Sequence, residues 1–305
     1  MKHSPKSQPA KVAELHGEAY AKDYQKKDSR RITRLIPLIE KSNFGVLADI
    51  GCGTGMLLDA IGEKFTAYHG VDLSPDMLGY ARQRRATEES PEVVWHQEDI
   101  VSFLTRRPNT FDNVFALDLS EHVDDDVWAG ILAGVAIALK PEGSFYIHTP
   151  NREYIIEVLK HVGILKQFPE HIAVRDAVQN SRLLQDAGFQ LVSCKFLSHY
   201  EPRQKPLALL SYVPFLGRFF RARLFITARK GADMGAAFGS GSAGSLFGAS
   251  GSSNFLSKTT AIFALIFFLT SLSLTYLAFQ QYSNNEILIE NIDNTPSDPE
   301  SKIDE

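Results

Sequence analysis

The chain has 305 residues, room for about two domains at ~150 residues each, and 44% of them are hydrophobic and 22% charged. That balance excludes a wholly disordered chain, a collagen-like repeat and a small disulfide scaffold. A formal net charge of −4 argues against a dedicated nucleic-acid binder, so no nucleic-acid partner is expected.

The charge is unevenly spread. Residues 1–230 carry 30 Lys and Arg against 28 Asp and Glu, whereas residues 280–305 carry Lys302 against seven acids. The acidity belongs to a short tail. Residues 1–13 are polar and basic with no apolar core, unlike a secretory signal. The two cysteines, Cys52 and Cys194, do not make a disulfide framework, and a reduced cytosolic setting is expected for the part that holds them.

Taken in chain order, apolar runs predict strands over 45–50, 66–72, 92–96, 111–119, 143–148, 189–196 and 224–228. Helical patterns lie between them over 56–64, 75–85, 127–139 and 174–187. Such alternation predicts an α/β domain over residues 1–230, a parallel sheet with helices on both faces. Residues 231–254 differ: 18 of 24 positions are Gly, Ser or Ala, the composition of a flexible linker. Residues 259–279 carry no charge. As a helix at ~1.5 Å per residue they would reach ~32 Å, close to the hydrocarbon thickness of a bilayer.

A single transmembrane helix is therefore expected there, with Tyr276 near its far interface. Arg218, Arg221, Arg223, Arg229, Lys230 and Lys258 precede it and the acidic tail follows. The positive-inside rule places residues 1–258 in the cytoplasm and the tail, which reads as disordered, across the inner membrane.

The sharpest local motif is Asp49-Ile-Gly-Cys-Gly-Thr-Gly55, between a strand and a helix. Glycines at alternate positions let the backbone turn sharply and approach a ligand closely. A dinucleotide site is a rival. The spacing is G-x-G-x-G rather than G-x-G-x-x-G, however, and an acid able to hold an amine precedes the first glycine. Both details favour S-adenosyl-L-methionine over NAD. Asp72, in Gly-Val-Asp-Leu-Ser-Pro-Asp-Met (70–77), stands at a strand end where a carboxylate can take a ribose diol. Asp99, in Gln-Glu-Asp-Ile (97–100), is placed to accept from an adenine amino group.

With FDNVFALDLSEHV (111–123) and LKPEGSFYIHTPNRE (139–153), these pieces stand in one order, and residues 15 to 230 resemble a class I S-adenosylmethionine-dependent methyltransferase. The resemblance implies a Rossmann-like seven-stranded, mostly parallel sheet whose last strand is antiparallel. It implies cofactor contacts by Asp49, Gly51, Cys52, Gly53, Gly55, Asp72, Leu73, Met77, Asp99 and Ile100, and a small-molecule methyl acceptor. Asp118-Leu-Ser-Glu-His122 is similar to the acid-x-x-Glu-His of the branch containing ubiquinone O-methyltransferases. Three roles stay open for it. Asp118, Glu121 and His122 hold a divalent ion, Mg²⁺ in that branch, that steers a phenolate oxygen. His122, beside Glu121, takes the hydroxyl proton as a general base. Or the Glu-His pair seats the next helix.

His148 and Asn151 fall at the end of the fifth strand and His171 in the segment after it. Residues 207–220 form an apolar stretch too short and interrupted to cross a membrane, suited to a buried insertion, an apolar pocket or a membrane surface.

A second resemblance follows. GADMGAAFG, LFG and GSSNFLSKTTA, with the apolar run after them, are similar to the cytoplasmic loop and second membrane helix of SecG, a protein-export channel subunit. It makes residues 231–258 a channel-facing loop and Sec translocon subunits candidate partners. The first SecG helix has no counterpart, because 224–230 reads as the final strand of the preceding domain.

Overall fold

Each strand deals alternate side chains to opposite faces, and the buried residues sort accordingly into two cores. β1 (Val46–Ile50) sends Leu47 to one core and Ala48 and Ile50 to the other. β4 (Phe111–Leu117) divides Phe115 and Leu117 from Val114 and Ala116 in the same way. One core is closed by the helices Ile100–Thr105, Asp125–Ala138 and Ala177–Asp186 through Phe103, Trp128 and Leu184. The other is closed by Met56–Ile61 and by Ile32 and Leu35. Helices therefore cover both faces.

The computed structural model describes residues 18–25, 30–39, 41–84, 91–200, 205–214 and 216–231, with five further positions at 267, 270, 271, 274 and 275. With β2 (Ala67–Asp72), β3 (Glu92–Gln97), β5 (Leu139–Pro150), β6 (Phe189–Leu197) and β7 (Arg223–Lys230), the sheet runs in the order β3-β2-β1-β4-β5-β7-β6. Neighbours among β1–β5 pair in parallel, and β7 is antiparallel to both β5 and β6. This is the expected seven-stranded, mostly parallel sheet.

Three boundaries move for local reasons. β4 ends at Leu117 rather than 119, because Asp118 takes φ +58°. β5 begins at Leu139, four residues early, and absorbs Glu142 at φ +62° where its register against β4 shifts. The helix expected from 174 starts at Ala177, where Asp176 and Gln179 form a capping box.

The chain divides into two compact units, Met1–Gly239 and Ser240–Glu305. Among the described residues no helix is long and apolar enough to cross a membrane. The expected span 259–279 lies outside them except at Phe267, Thr270, Ser271, Leu274 and Thr275, which are helical. The expected loop and tail lie outside them except for Gly231.

Candidate functional site

Gly51, Gly53 and Gly55 hold φ of +66°, +53° and +76°, a region that costs an L side chain about 1 kcal/mol or more. Space adds to the demand. A Cβ on Gly55 would stand 2.7 Å from Trp95 Cη2, and one on Gly51 2.8 Å from Leu119 Cδ1. The loop is tied to β2: the amides of Gly51 and Cys52 both donate to Val71 O, at 2.8 and 3.0 Å. Asp72 braces it from the neighbouring strand end, Oδ2 accepting from Gly53 N and Oδ1 from Ser74 N, each at 2.9 Å. A carboxylate oxygen has two lone pairs, so Asp72 keeps capacity for a diol.

The other expected cofactor residues are placed unequally. Asp49 is buried, and its Oδ2 accepts from Tyr68 Oη at 2.5 Å. Burial pushes its carboxyl up to about 7, against the lowering effect of that bond. It stands in β1, two residues before Gly51. Cys52 is buried, and burial, with Asp72 and Asp49 nearby, raises its thiol well above the ordinary range. Cys194 is raised to about 11 by burial, and both cysteines are free. Met77 and Ile100 are buried, and Leu73 is half-buried. Asp99 is exposed and caps the helix Ile100–Thr105, accepting from Ser102 N at 2.8 Å. An S-adenosylmethionine fits this half of the site: the loop is a cradle that side chains would fill, with a braced carboxylate at its rim.

Beyond the loop, at the ends of β4 and β5 and the start of β7, lies a buried polar network. His148 Nδ1 bonds Asp118 Oδ1 at 2.7 Å. The carboxylate can only accept, so Nδ1 carries the proton and Nε2 the lone pair. Arg223 Nη1 donates to the same Oδ1 at 2.9 Å and stands 3.6 Å from Glu121 Oε1, and Arg31 Nη1 stands 3.4 Å from Asp118 Oδ2. Asp118 is held well below the usual carboxylate range, because Arg223, His148 and Arg31 outweigh a burial effect that raises it. Glu121 goes the other way: burial, then the Asp118 charge, pushes it up to about 8. Thr149 Oγ1 donates to Glu121 Oε2 at 3.2 Å.

His122 bonds the carbonyl of Glu170 through Nδ1 at 2.9 Å, which places the lone pair on Nε2. Its ring meets that of His171 edge to face, with centroids 5.3 Å apart. Glu121, His122 and His171 offer ligand atoms within 4.8 Å of one another. Asp118, engaged by His148 and two arginines, is not in that group. One carboxylate and two imidazoles do not fit Mg²⁺, which takes oxygen ligands. The Arg223 guanidinium beside Glu121 further opposes a cation there.

The structure brings in residues that sequence patterns leave invisible. Arg175 is buried and ties the strand end to the following segment: its guanidinium donates to Ser120 O, Ala173 O, Val123 O and Asp125 Oδ1. Tyr24 approaches the loop at Gly53, where a Cβ would meet its Cε1 at 3.4 Å, and it accepts a hydrogen bond from Arg31. No spacing signal marks either of them, because Arg175 meets Ser120, Val123 and Asp125 from 50 to 55 residues away and Tyr24 meets Gly53 across 29.

The apolar stretch 207–220 is not a buried insertion. Leu209 and Tyr212 are 71% and 85% exposed. Ser211, Tyr212, Val213, Pro214, Gly217, Arg218 and Arg221 line an open cavity of about 400 Å³.

A family model described as "Methyltransferase domain" matches residues 20–194, and one described as "Preprotein translocase SecG subunit" matches 224–295. The second begins inside β7, whose residues pair on both sides within the sheet. Among curated proteins, the chain is 29% identical over 170 residues to a ubiquinone biosynthesis O-methyltransferase of Burkholderia pseudomallei, covering 53% of this chain and 72% of that protein. It is 28% identical over 127 residues to the protein of the same name from Aeromonas salmonicida, covering 41% of this chain and only 52% of the relative's length. Among solved structures, magnesium protoporphyrin IX methyltransferase from Synechocystis, with bound SAH, aligns with a TM-score of 0.54 at 15% identity, covering 73% of this chain and all of that one. That likeness speaks for the fold. With more than half its length under the first model, the chain belongs to the family of S-adenosylmethionine-dependent methyltransferases.

Proposed function

We propose that the chain transfers a methyl group to a hydroxyl of a small, apolar acceptor of the quinone-precursor kind, at the polar network over the ends of β4 and β5. The observation that carries this reading is the pairing of two unlike sites on one sheet edge. A glycine-rich loop is braced by Asp72, and a cluster of buried Glu121 and half-buried His122 and His171 lies beyond it. The O-methyltransferase names of the relatives support it.

Bound S-adenosylmethionine supplies an electrophilic methyl on a sulfonium, so the protein has mainly to position and deprotonate the acceptor. In this reading the backbone of Gly51, Gly53 and Gly55 and the carboxylate of Asp72 hold the cofactor. Cys52, Leu73, Met77 and Ile100 shape its walls, Asp49 supports the loop from beneath, and Asp99 meets the adenine edge. His122 accepts the hydroxyl proton at Nε2, the tautomer that its bond to Glu170 O favours. Glu121 stands beside it. No step passes through a metal.

The test is His122→Gln with catechol as acceptor. Turnover is expected to fall by about 10²-fold or more, with the affinity for S-adenosylhomocysteine unchanged. Unaltered turnover removes His122 as the base.

Residues 231–258 as a SecG-like loop, 259–279 as a membrane helix and 280–305 as an acidic tail complete the proposed organisation. Together they tether the enzyme at the cytoplasmic face of the inner membrane. The SecG match supports this. It also favours a second reading, in which the chain is a translocon subunit carrying an enzymatic passenger. Co-purification with the export channel, lost on deleting 231–305, is the expected result for that role. Recovery of the chymotryptic peptide 226–238 from cells establishes that both parts are made as one chain, and its absence beside peptides from each part refutes the tether.

A further inference from the structure

Arg31, Arg34 and Arg223, from the N-terminal segment and the start of β7, gather around Asp118 and Glu121. Two of the three have carboxylate partners: Arg31 faces Asp118, and Arg223 faces both acids. Arg34 has none among the described residues. Its Nη1 donates to Ser198 O at 2.7 Å, and its Nη2 faces the Nε2 of His148 at 3.5 Å. Its guanidinium carbon stands 5.7 Å from the Tyr200 ring, and its Nε is buried without a partner.

The local field is positive. Burial, then the charge of Arg223, lowers the pKa of Arg34, against the raising effects of Asp118 and Tyr200. His199 is pushed down to about 4 by burial and then by Arg223, Arg34 and Lys160. His171 is pushed down to about 3 by burial and then by His122, Arg223 and Lys160. Lys160 has its own partner, Glu157, at 2.7 Å. Among the described residues, three guanidiniums therefore stand over two carboxylates here. Glu121, raised by burial, widens that excess at neutral pH.

An excess of positive charge held mostly out of water is costly unless an anion completes it. The planar fork of arginine is matched to a carboxylate in both charge and geometry. We propose that the methyl acceptor carries a carboxylate on its otherwise apolar body, bound by Arg34 with Arg223 alongside, and that this group separates it from neutral phenols. The proposal rests on the methyl-transfer reading for the identity of the ligand as acceptor. The charge argument itself does not depend on His122.

The test titrates the full chain, saturated with S-adenosylhomocysteine, with 3,4-dihydroxybenzoate and with catechol by calorimetry. Wild type is expected to bind the carboxylate probe at least about tenfold more tightly, the scale of one charge-assisted pair. Arg34→Gln is expected to erase most of that preference while leaving the catechol affinity unchanged. Equal affinities in wild type overturn the proposal without any variant, so it stays testable if Arg34→Gln does not fold. A preference that survives in folded Arg34→Gln also overturns it.

Methyl transfer to the same two probes, followed by mass, separates the two readings. Methylated catechol with no carboxylate preference refutes the anion site and keeps O-methylation. An Arg34-dependent preference with no methyl transfer to either probe keeps the anion site and refutes O-methylation.

Discussion

Tyr68 Oη stands 2.5 Å from Asp49 Oδ2, so a phenol on β2 holds the carboxyl that leads into the glycine loop from β1. Both groups are buried, and burial raises both pKa values. Removing the hydroxyl strips a buried carboxyl of a donor. Tyr68→Phe is expected to cost about 1–3 kcal/mol, read as a lower denaturation midpoint. A midpoint equal to wild type would mean that the contact carries no stability.

The same carboxyl sets a pH dependence. Its folded value, about 7, lies above the ordinary 3.8, so the fold prefers the protonated acid. Its contribution is complete below about 3.8 and is lost as pH rises through about 7. In the ligand-free protein, Asp49→Asn is expected to flatten the loss of melting temperature across that window. A slope unchanged from wild type would refute the assignment.

At the outer edge of the sheet the sign reverses. His69 Nδ1 and His96 Nε2 are 3.1 Å apart, with stacked rings. Burial lowers both pKa values, and His96 further lowers that of His69. The neutral forms are favoured in the fold, so stability is full above the ordinary histidine value near 6.5 and falls as pH drops below it. His96→Gln is expected to weaken that acid-side decline in melting temperature. A decline of the same steepness in the variant would place its origin elsewhere.

Asp72 braces the loop through Gly53 N and Ser74 N. Asp72→Ala removes both acceptors and the groups proposed for the ribose. Affinity for S-adenosylhomocysteine is expected to fall at least about tenfold, since each charge-assisted bond is worth ~1.5–3 kcal/mol. Unchanged affinity in a folded variant would sink the role of Asp72.

Arg175 is buried and donates to three backbone carbonyls and to Asp125. Arg175→Met orphans Ser120 O and Val123 O on the segment that carries Glu121 and His122. A loss of about 3 kcal/mol is expected, together with a fall in turnover larger than any change in cofactor affinity. A loss of stability without that fall would make Arg175 a structural strut alone.

The strands were legible because each is a local apolar run whose alternation survives folding, as Leu47 against Ala48 illustrates. The glycine loop was legible for a related reason: left-handed backbone at three alternate positions admits few residues besides glycine, so the conformation is written in the residues themselves. The helix Ile100–Thr105 was not, since its six residues include Ile, Val and Thr, and only the Asp99 cap marks it. Asp118 was legible as an acid at a strand end, but its partners were not.

From the sequence alone came the strands of the sheet, the glycine loop and the likeness to two families, all of which are written in short continuous stretches. Only the tertiary structure decided that Asp118 is paired with Arg31, Arg223 and His148, and that Arg34 has no carboxylate partner among the described residues. Those outcomes depend on charges drawn from positions 31, 34, 118, 148 and 223. A charge is balanced by what lies near it in space, and the spacing along the chain carries no record of that distance.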